Sequence, residues 1–296
     1  MQESEWLAER FEEHRARLRG VAYRMLGSIS EADDAVQDTW IRLSRAGADD
    51  VENLGAWLTT VVARVSLNRL RSRKVRREES LEGHLPDPVV VADGAVNPED
   101  EVLLADSVGL ALLVVLETMA PAERLAFVLH DVFDLPYDEI APMVGRNAAA
   151  ARQLASRARR RVQGAGVREP GPDRRRQREV VDAFFRAARE GDFDALVAVL
   201  DPEVVLRSDF GSKRAPIPAV IHGAANVASQ ARLYNNPNAR LIPALVNGVP
   251  GVVVTVSGRP FALLAFTVVG DRIVEIDGIA DPERVARVAA SVLAQA

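Results

Sequence analysis

The sequence predicts a multidomain protein in which two all-α domains precede an α+β domain. Its length of 296 residues favours two or three domains over one. Apolar residues keep helical spacing through residues 5–76 and again through 101–163. Beyond residue 204 the chain instead carries β-branched runs separated by turn dipeptides, which is the pattern of a sheet. Helices followed by an antiparallel sheet indicate an α+β fold.

Two stretches without apolar periodicity divide the chain into these domains. Residues 78–100 contain Pro86, Pro88 and Pro98 and are predicted to be a linker. Residues 165–173, rich in Gly and Pro, are a second predicted linker. The predicted domains are therefore residues 1–77, 101–164 and 174–296.

The third domain shows clear start and stop signals for its elements. A helix over residues 174–190 is predicted to end at Gly191, and Asp192 to cap the next helix. Asp281-Pro282 is predicted to open the last helix. The predicted hairpin turns are Ser257-Gly258 and Gly270-Asp271, and the predicted strands are 204–207, 242–246, 252–256, 261–268 and 273–276.

Composition excludes several classes of protein. A net charge of −5 argues against generalised polyanion binding, so any nucleic-acid contact must come from local clusters. The absence of cysteine excludes disulfides, thiolate zinc sites and thiol nucleophiles. The acidic start lacks the order of a signal peptide, and no apolar run is long enough to span a bilayer. We expect a cytoplasmic protein with no membrane partner, metal or cofactor.

Two basic segments, residues 64–77 and 149–161, contain no Asp or Glu. Each follows a short apolar helix. Two such segments on an acidic chain predict a protein that binds DNA at two places.

The second basic segment has the pattern of a helix-turn-helix. Residues 137–145 predict a short helix that ends at a glycine, and residues 148–162 predict an Arg-rich helix. The second helix of this motif enters the major groove, where Arg pairs with guanine and Gln with adenine. The predicted base readers are Arg152, Gln153, Ser156 and Arg157, and Arg159, Arg160 and Arg161 are predicted to contact phosphates. A solvated basic helix in a bundle is the alternative.

The first basic segment has no helix-turn-helix. It follows Trp57 and a loop that contains Asn53. Positive helices beside polar pockets suit single-stranded DNA, in which an unstacked base is captured. The alternative is that Trp57 belongs to the hydrophobic core.

Together, residues 5–163 resemble a bacterial RNA polymerase sigma factor of the extracytoplasmic-function class. LRGVAYRMLG at 18–27 and EADDAVQDTWIRL at 31–43 are similar to the polymerase-binding helices of region 2 in that class. AWLTTVVAR at 56–64 is similar to its promoter-melting helix, and the segment from MAPAERLAFVL at 119–129 through Arg160 resembles region 4.

The resemblance implies two partners, core RNA polymerase and promoter DNA. It implies that region 2 docks on the β′ clamp helices and reads the melted minus-ten element. It implies that region 4 docks on the β flap and reads the minus-thirty-five element as duplex. The implied polymerase contacts are Asp33, Asp34, Gln37, Asp38 and Arg42. The implied minus-ten contacts are Asn53, Arg64, Arg69, Arg71 and Arg73. The alternative for the three aspartates is solubility and stabilisation of a helix N-terminus.

Residues 174–296 resemble the SnoaL-like polyketide-cyclase fold, a curved sheet wrapped by helices into a cone. LPDP at 85–88, SDFGSK at 208–213 and NPNARL at 236–241 are similar to motifs of the sigma factors that carry this extension. The resemblance implies that the extension contacts the sigma domains and modulates them, with no separate anti-sigma factor required. The implied regulatory residues are Pro86, Pro88, Asp209, Lys213, Asn236 and Pro237.

Two other functions remain open at this point. A stand-alone transcription regulator would use only the helix-turn-helix, and residues 18–74 would then have no role. A cyclase- or isomerase-like enzyme would use Asp209 and His222 for general acid–base catalysis. Against this, Asp209 can simply end a strand and His222 begin a helix, so no catalytic residue is predicted and we expect a protein that is not an enzyme.

Overall fold

The computed structural model describes residues 2–46, 53–75, 85–94, 109–168, 170–211, 220–231 and 236–295. The chain divides into two compact units. One unit comprises Met1–Glu79 and Leu112–Val167, and the other comprises Ser80–Ala111 and Arg168–Ala296. The two predicted all-α domains therefore belong largely to a single unit, and the predicted linker 78–100 belongs largely to the unit of the α+β domain.

Helices account for most of the residues that the structure describes between 2 and 168. They are α1 (Gln2–Leu26), α2 (Ile29–Ala46), α3 (Leu54–Val75), α4 (Leu110–Glu117), α5 (Pro121–Phe127), α6 (Tyr137–Val144) and α7 (Ala148–Gly164). A π-helical turn, Val128–Val132, follows α5. Helices α1, α2 and α3 pack on one another, and their apolar stripes form a core that includes Leu18, Met25, Val36, Leu43, Leu58 and Val62.

A buried arginine joins the helices of this unit. Arg124 on α5 is only 4% exposed. Its Nη1 donates to the Met25 carbonyl at 2.7 Å, and its Nε donates to the Leu116 carbonyl at 2.6 Å. Both carbonyls lie in the last turn of a helix, where backbone acceptors lack an intrahelical donor. Arg124 therefore donates to the ends of both α1 and α4, and desolvation lowers its pKa to about 10.

The second unit is built on a mixed sheet. Among the described residues its strands are β1 (Val90–Ala92), β2 (Leu200–Asp209), β3 (Val220–His222), β4 (Ala239–Val246), β5 (Val249–Val256), β6 (Arg259–Val269) and β7 (Arg272–Ile279). Their order is β1-β4-β5-β6-β7-β2-β3. All neighbours are antiparallel except β2 and β7, which are parallel. The predicted antiparallel sheet is thus wrong for this pair, because hairpin signals report only on strands that are adjacent in sequence.

Helices of the same unit cover the sheet. They are α8 (Arg174–Glu190), α9 (Phe193–Val199), α10 (Ala224–Ala231), α11 (Pro282–Val288) and α12 (Ala290–Leu293). Phe184 and Phe185 of α8 pack against Phe266 of β6, with ring centroids 5.7 and 5.5 Å from that of Phe266. Between α8, α10 and the sheet, the described residues leave a hollow of about 10 Å³, close to the space one water needs. The described side chains therefore pack closely around this hollow.

The predicted caps and turns are confirmed. Gly191 ends α8 with φ +71°, and the Asp192 carboxylate accepts from the Ala195 amide at the start of α9. Ser257 and Gly258 both have positive φ, as a two-residue hairpin turn of this kind requires. Asn247-Gly248 forms a further turn of this kind that was not predicted, although Asn-Gly is a strong hairpin signal.

The predicted linker over residues 78–100 contains an ordered strand. Val90–Ala92 pairs antiparallel with β4, with Val90 opposite Val246. Three residues between prolines and a glycine are too few to show a period of two, so the pattern could not reveal this strand. Within the described residues, no helix is long and apolar enough to cross a membrane.

Candidate nucleic-acid interface

The predicted helix-turn-helix forms from α6 and α7. Gly145 takes the left-handed conformation with φ +70° and ends α6. The Asn147 side chain then accepts from the Ala150 amide at 2.8 Å and caps α7. The buried side of α7 consists of alanines, namely Ala151, Ala155 and Ala158. Small side chains on this side let the basic helix pack closely while its other side stays open.

The open side of α7 carries the predicted minus-thirty-five residues. Arg152, Gln153, Arg157 and Arg160 are exposed, and Ser156 is half-buried. Two arginines that were predicted to meet phosphates are already engaged. Arg159 bonds Asp131, which raises its pKa, and Arg161 donates to the Thr118 carbonyl. Four polar side chains of α7 are therefore exposed, whereas Arg159 and Arg161 bond α7 to other residues of the same domain.

The basic helix α3 shows the same division. Arg64 and Arg71 are exposed, whereas Arg69 and Arg73 are half-buried. Arg69 forms ion pairs with Asp38 at 2.8 Å and with Asp34 at 3.5 Å. These contacts join a predicted DNA-binding residue to two predicted polymerase-binding residues.

Arg73 repeats the arrangement one turn further along α3. It pairs with Glu31 and donates to the Leu26 carbonyl at 3.2 Å. A depression of about 380 Å³ lies between α2 and α3, lined by Glu31, Asp38, Arg42, Val65, Asn68, Arg69, Ser72 and Arg73. Arg69 and Arg73 therefore hold α3 against α2, a role that the resemblance did not suggest.

The remaining predicted polymerase contacts lie along α2. Asp33 is exposed and accepts from Arg19 Nη2 at 3.0 Å. Gln37 and Arg42 are exposed. Helix α2 thus presents a mixed polar surface that carries all five predicted residues.

The predicted base-capturing residue, Asn53, lies just before α3. Its Oδ1 accepts from the Ala56 amide at 3.0 Å and caps the helix, and the residue is exposed. Residues 47–52 of the predicted loop lie outside the described residues.

A cluster of charged side chains and one backbone unit, here called the linker clamp, holds residues 85–87 to the α+β domain. It consists of Leu85, Asp87, Asp209 and Arg284. Arg284 is buried; its Nε donates to Asp87 at 2.5 Å and its Nη1 donates to Asp209 at 2.5 Å. Arg284 Nη2 also donates to the Leu85 carbonyl, and the Leu85 amide donates to Asp209 at 2.9 Å. One guanidinium group thus bonds Leu85 and Asp87 of the linker as well as Asp209 of β2.

Further contacts attach residues 89–93 of the linker to the α+β domain. The Val89 amide donates to Asn247 Oδ1 at 2.7 Å, and the Asn247 amide donates back to the Val89 carbonyl at 2.8 Å. Strand β1 follows, and Asp93 then pairs with Arg178 of α8 at 2.7 Å. Residues 85–93 are therefore attached to the domain at several points.

The predicted regulatory residues fall into three groups. Pro86 and Pro88 are buried on either side of Asp87, and Asp209 belongs to the linker clamp. Asn236 and Pro237 are exposed, and Asn236 Oδ1 accepts from the Asn238 amide. Lys213 lies outside the described residues.

Asp87, Asn247 and Arg284 were not singled out from the sequence. Arg284 lies 197 positions from Asp87, so no local spacing could connect the two residues.

The candidate acid–base pair does not form. His222 is opposite Val205, four residues before Asp209 on β2, so roughly 13 Å of strand separates them. Asp209 is also fully engaged by Arg284, Leu85 and the Gly211 amide. Proton transfer between the two groups would require direct hydrogen-bond reach, which this register excludes.

Comparison with known proteins agrees with this arrangement. Residues 10–76 match the Sigma-70 region 2 family, and residues 109–162 match the Sigma-70 region 4 family. The probable ECF RNA polymerase sigma factor SigI of Mycobacterium tuberculosis is 37% identical over 276 residues, which cover 91% of each chain. The chain belongs to the extracytoplasmic-function class of RNA polymerase sigma factors. Core RNA polymerase and promoter DNA are accordingly the partners of this sigma factor.

The α+β domain of the sigma factor has a counterpart of known structure. The ECF RNA polymerase sigma factor SigJ of M. tuberculosis is 39% identical over 217 residues, 73% of this chain and 69% of its own. The SigJ crystal structure superimposes with a TM-score of 0.74 at 34% identity, covering 94% of this chain and 97% of that chain. The predicted fold class, two helical sigma regions followed by a SnoaL-like domain, is confirmed.

Proposed function

We propose that this sigma factor directs core polymerase to its promoters through two separate DNA contacts. Helix α7 reads the minus-thirty-five element in the major groove, and α3 contacts the melted minus-ten strand. The observation that carries the proposal is the open face of α7, where Arg152, Gln153 and Arg157 are exposed opposite a buried row of alanines. The α2 surface with Asp33, Asp34, Gln37, Asp38 and Arg42 is proposed to dock on the β′ clamp helices, and region 4 on the β flap.

Arg157→Ala tests the base-reading part of this proposal. Run-off transcription by the reconstituted holoenzyme over a library of minus-thirty-five sequences should show a loss of about 1–3 kcal/mol of discrimination at one base pair. Arg160→Ala on the same helix is the matched control. As a predicted phosphate contact, it should weaken transcription from all sequences about equally and lower the salt dependence. Equal weakening on all sequences by Arg157→Ala as well would contradict base reading by Arg157.

We also propose that the SnoaL-like domain modulates the sigma regions by holding the connection between α3 and α4. Supporting this, residues 85–93 of that connection are attached to the domain by the linker clamp, by Asn247 and by strand β1. The modulation would then act in place of a separate anti-sigma factor. Because the partner polymerase works in the cytoplasm, the proposal puts the protein there too.

Arg284→Ala tests the regulatory part. It should change transcript yield severalfold in a purified system of core polymerase, sigma factor and promoter DNA, with the promoter ranking unchanged. Arg287→Ala is the control, because Arg287 is exposed and reaches Asp87 only at 3.5 Å. An altered promoter ranking, or an Arg284→Ala yield equal to wild type, would argue against regulation through the linker.

A further inference from the structure

An aromatic and charged cluster lies where the helix-turn-helix begins. Tyr137 is the first residue of α6. The His130 ring stacks on it with centroids 3.9 Å apart and an interplanar angle of 29°. The Arg152 guanidinium carbon lies 5.3 Å from the Tyr137 ring centroid, within the range of a cation–π contact. An exposed residue of α7 is thus in contact with a residue on the preceding helix.

Further bonds fix the Tyr137 ring in place. Its hydroxyl oxygen accepts from Arg159 Nη2 at 3.0 Å, and Arg159 Nε donates to Asp131 at 2.5 Å. His130 Nδ1 donates to the Leu135 carbonyl at 2.9 Å. His130 and Asp131 both come from the π-helical turn, a feature that is frequent at functional sites. The Tyr137 ring is therefore held by the hydrogen bond from Arg159 to its hydroxyl and by stacking on His130.

Because the Tyr137 ring is held in place, it restricts the rotamers of the Arg152 side chain that lies over it. An exposed arginine samples many rotamers and loses that freedom when it binds a base. The contact with Tyr137 removes part of this freedom before DNA arrives, which is the general route by which preorganisation raises affinity. In the described part of the chain, no aromatic ring is found over Arg157, the other exposed arginine near the middle of α7.

We infer that Tyr137 is a positioning residue that orients Arg152 for recognition of one base pair of the minus-thirty-five element. The inference rests on the proposed role of Arg152 as a base reader. It assigns a specificity-determining role to a residue outside the recognition helix.

A double-mutant cycle on the reconstituted holoenzyme tests this inference. The variants are Arg152→Ala, Tyr137→Leu and the double variant, each measured on a library of duplex minus-thirty-five sequences. Tyr137→Leu should reduce preference at the base pair that Arg152→Ala affects, by about two- to fivefold, the range of an exposed cation–π contact. In the Arg152→Ala background, Tyr137→Leu should have no further effect on that preference.

Two more variants keep the experiment decisive if Tyr137→Leu folds poorly. Tyr137→Phe retains the ring and loses the bond from Arg159, and it should keep the base preference. Tyr137→Met supplies a flexible apolar side chain without a π face, and it should lose the preference as leucine does. As a specificity control, Tyr137→Leu should leave the base pair affected by Arg157→Ala unchanged.

The experiment distinguishes a failure of the role inferred for Tyr137 from a failure of the role proposed for Arg152. If Arg152→Ala changes no base preference, the role proposed for Arg152 fails, and this inference with it. If Arg152→Ala does change a preference but Tyr137→Leu acts additively, or weakens all sequences equally, only the role of Tyr137 is overturned.

Discussion

At the scale of single residues, Arg124 shows how a charged side chain can be part of a core. Replacing it by leucine removes the donor that the Met25 carbonyl receives from Arg124, whereas the Leu116 carbonyl keeps the Met119 amide at 3.1 Å. We expect Arg124→Leu to lower the free energy of unfolding by about 1–3 kcal/mol, because a buried unsatisfied acceptor costs about that much. Chemical denaturation measures this. Arg157→Leu, at an exposed site, should stay within about 0.5 kcal/mol of wild type, and an equally small change for Arg124→Leu would contradict the bracing role.

The arginines of α3 should separate into two kinds when they are replaced. Arg69→Ala removes the pairs with Asp34 and Asp38 and should lower stability by about 0.5–1 kcal/mol, as for partly exposed ion pairs. Arg64→Ala removes an exposed side chain; it should leave the melting temperature unchanged and weaken holoenzyme binding to minus-ten single strands, with a shallower salt dependence. Thermal melting together with strand-binding titrations distinguishes the two. A destabilised Arg64→Ala variant would contradict this division.

At the scale of elements, strands β2 and β7 bury a charged cluster that no part of the proposed mechanism uses. Arg207 of β2 contacts Glu275 and Asp277 of β7, with 3.0 Å to Asp277. Burial, reinforced by the neighbouring Glu275, raises the pKa of Asp277 from 3.8 to about 7. The folded protein therefore keeps a proton on this carboxyl group that the unfolded chain releases at much lower pH.

This pKa shift predicts how stability depends on pH. Since the native state binds the extra proton, the free energy of unfolding should fall as pH rises from about 4 to about 7, and then level off. Asp277→Asn should flatten the fall when melting temperature is measured across this range. Asp271→Asn is the control: a hydrogen bond from Arg176 lowers the pKa of Asp271, so its effect lies at lower pH. An Asp277→Asn profile that matches wild type would rule out this cause.

Local signals predicted elements well, and contacts between distant elements could not be predicted. Gly145, Gly191 and Ser257-Gly258 act through their own backbone angles, so the sequence alone identified where helices and hairpins end. The bonds from Arg284 to Asp87 and Asp209 join positions that only the folded sheet brings together. The pairing of Arg69 with Asp38 likewise depends on how α2 and α3 pack, so the family resemblance assigned the two residues to different binding surfaces without showing that they contact each other.

At the scale of the whole molecule, residues 85–93 of the connection between the two sigma regions are bonded to the SnoaL-like domain. Amide hydrogen exchange of Leu85 and Val89 should be slow, because their N–H groups donate to Asp209 and Asn247. Arg284→Ala should accelerate exchange at Leu85, while Arg287→Ala should leave it as in wild type. Fast exchange at both amides in the wild-type protein would show that the linker clamp does not persist in solution.

The position of β1 at the end of the sheet has a practical consequence. This short strand pairs with Ala244, Leu245 and Val246 and covers that part of the outer side of β4, whose backbone groups would otherwise be open to other molecules. A fragment that starts at residue 170 would lack this cover, and we expect it to self-associate through β4. A fragment that starts before residue 85 would keep this cover, and we expect it to self-associate less than the shorter fragment.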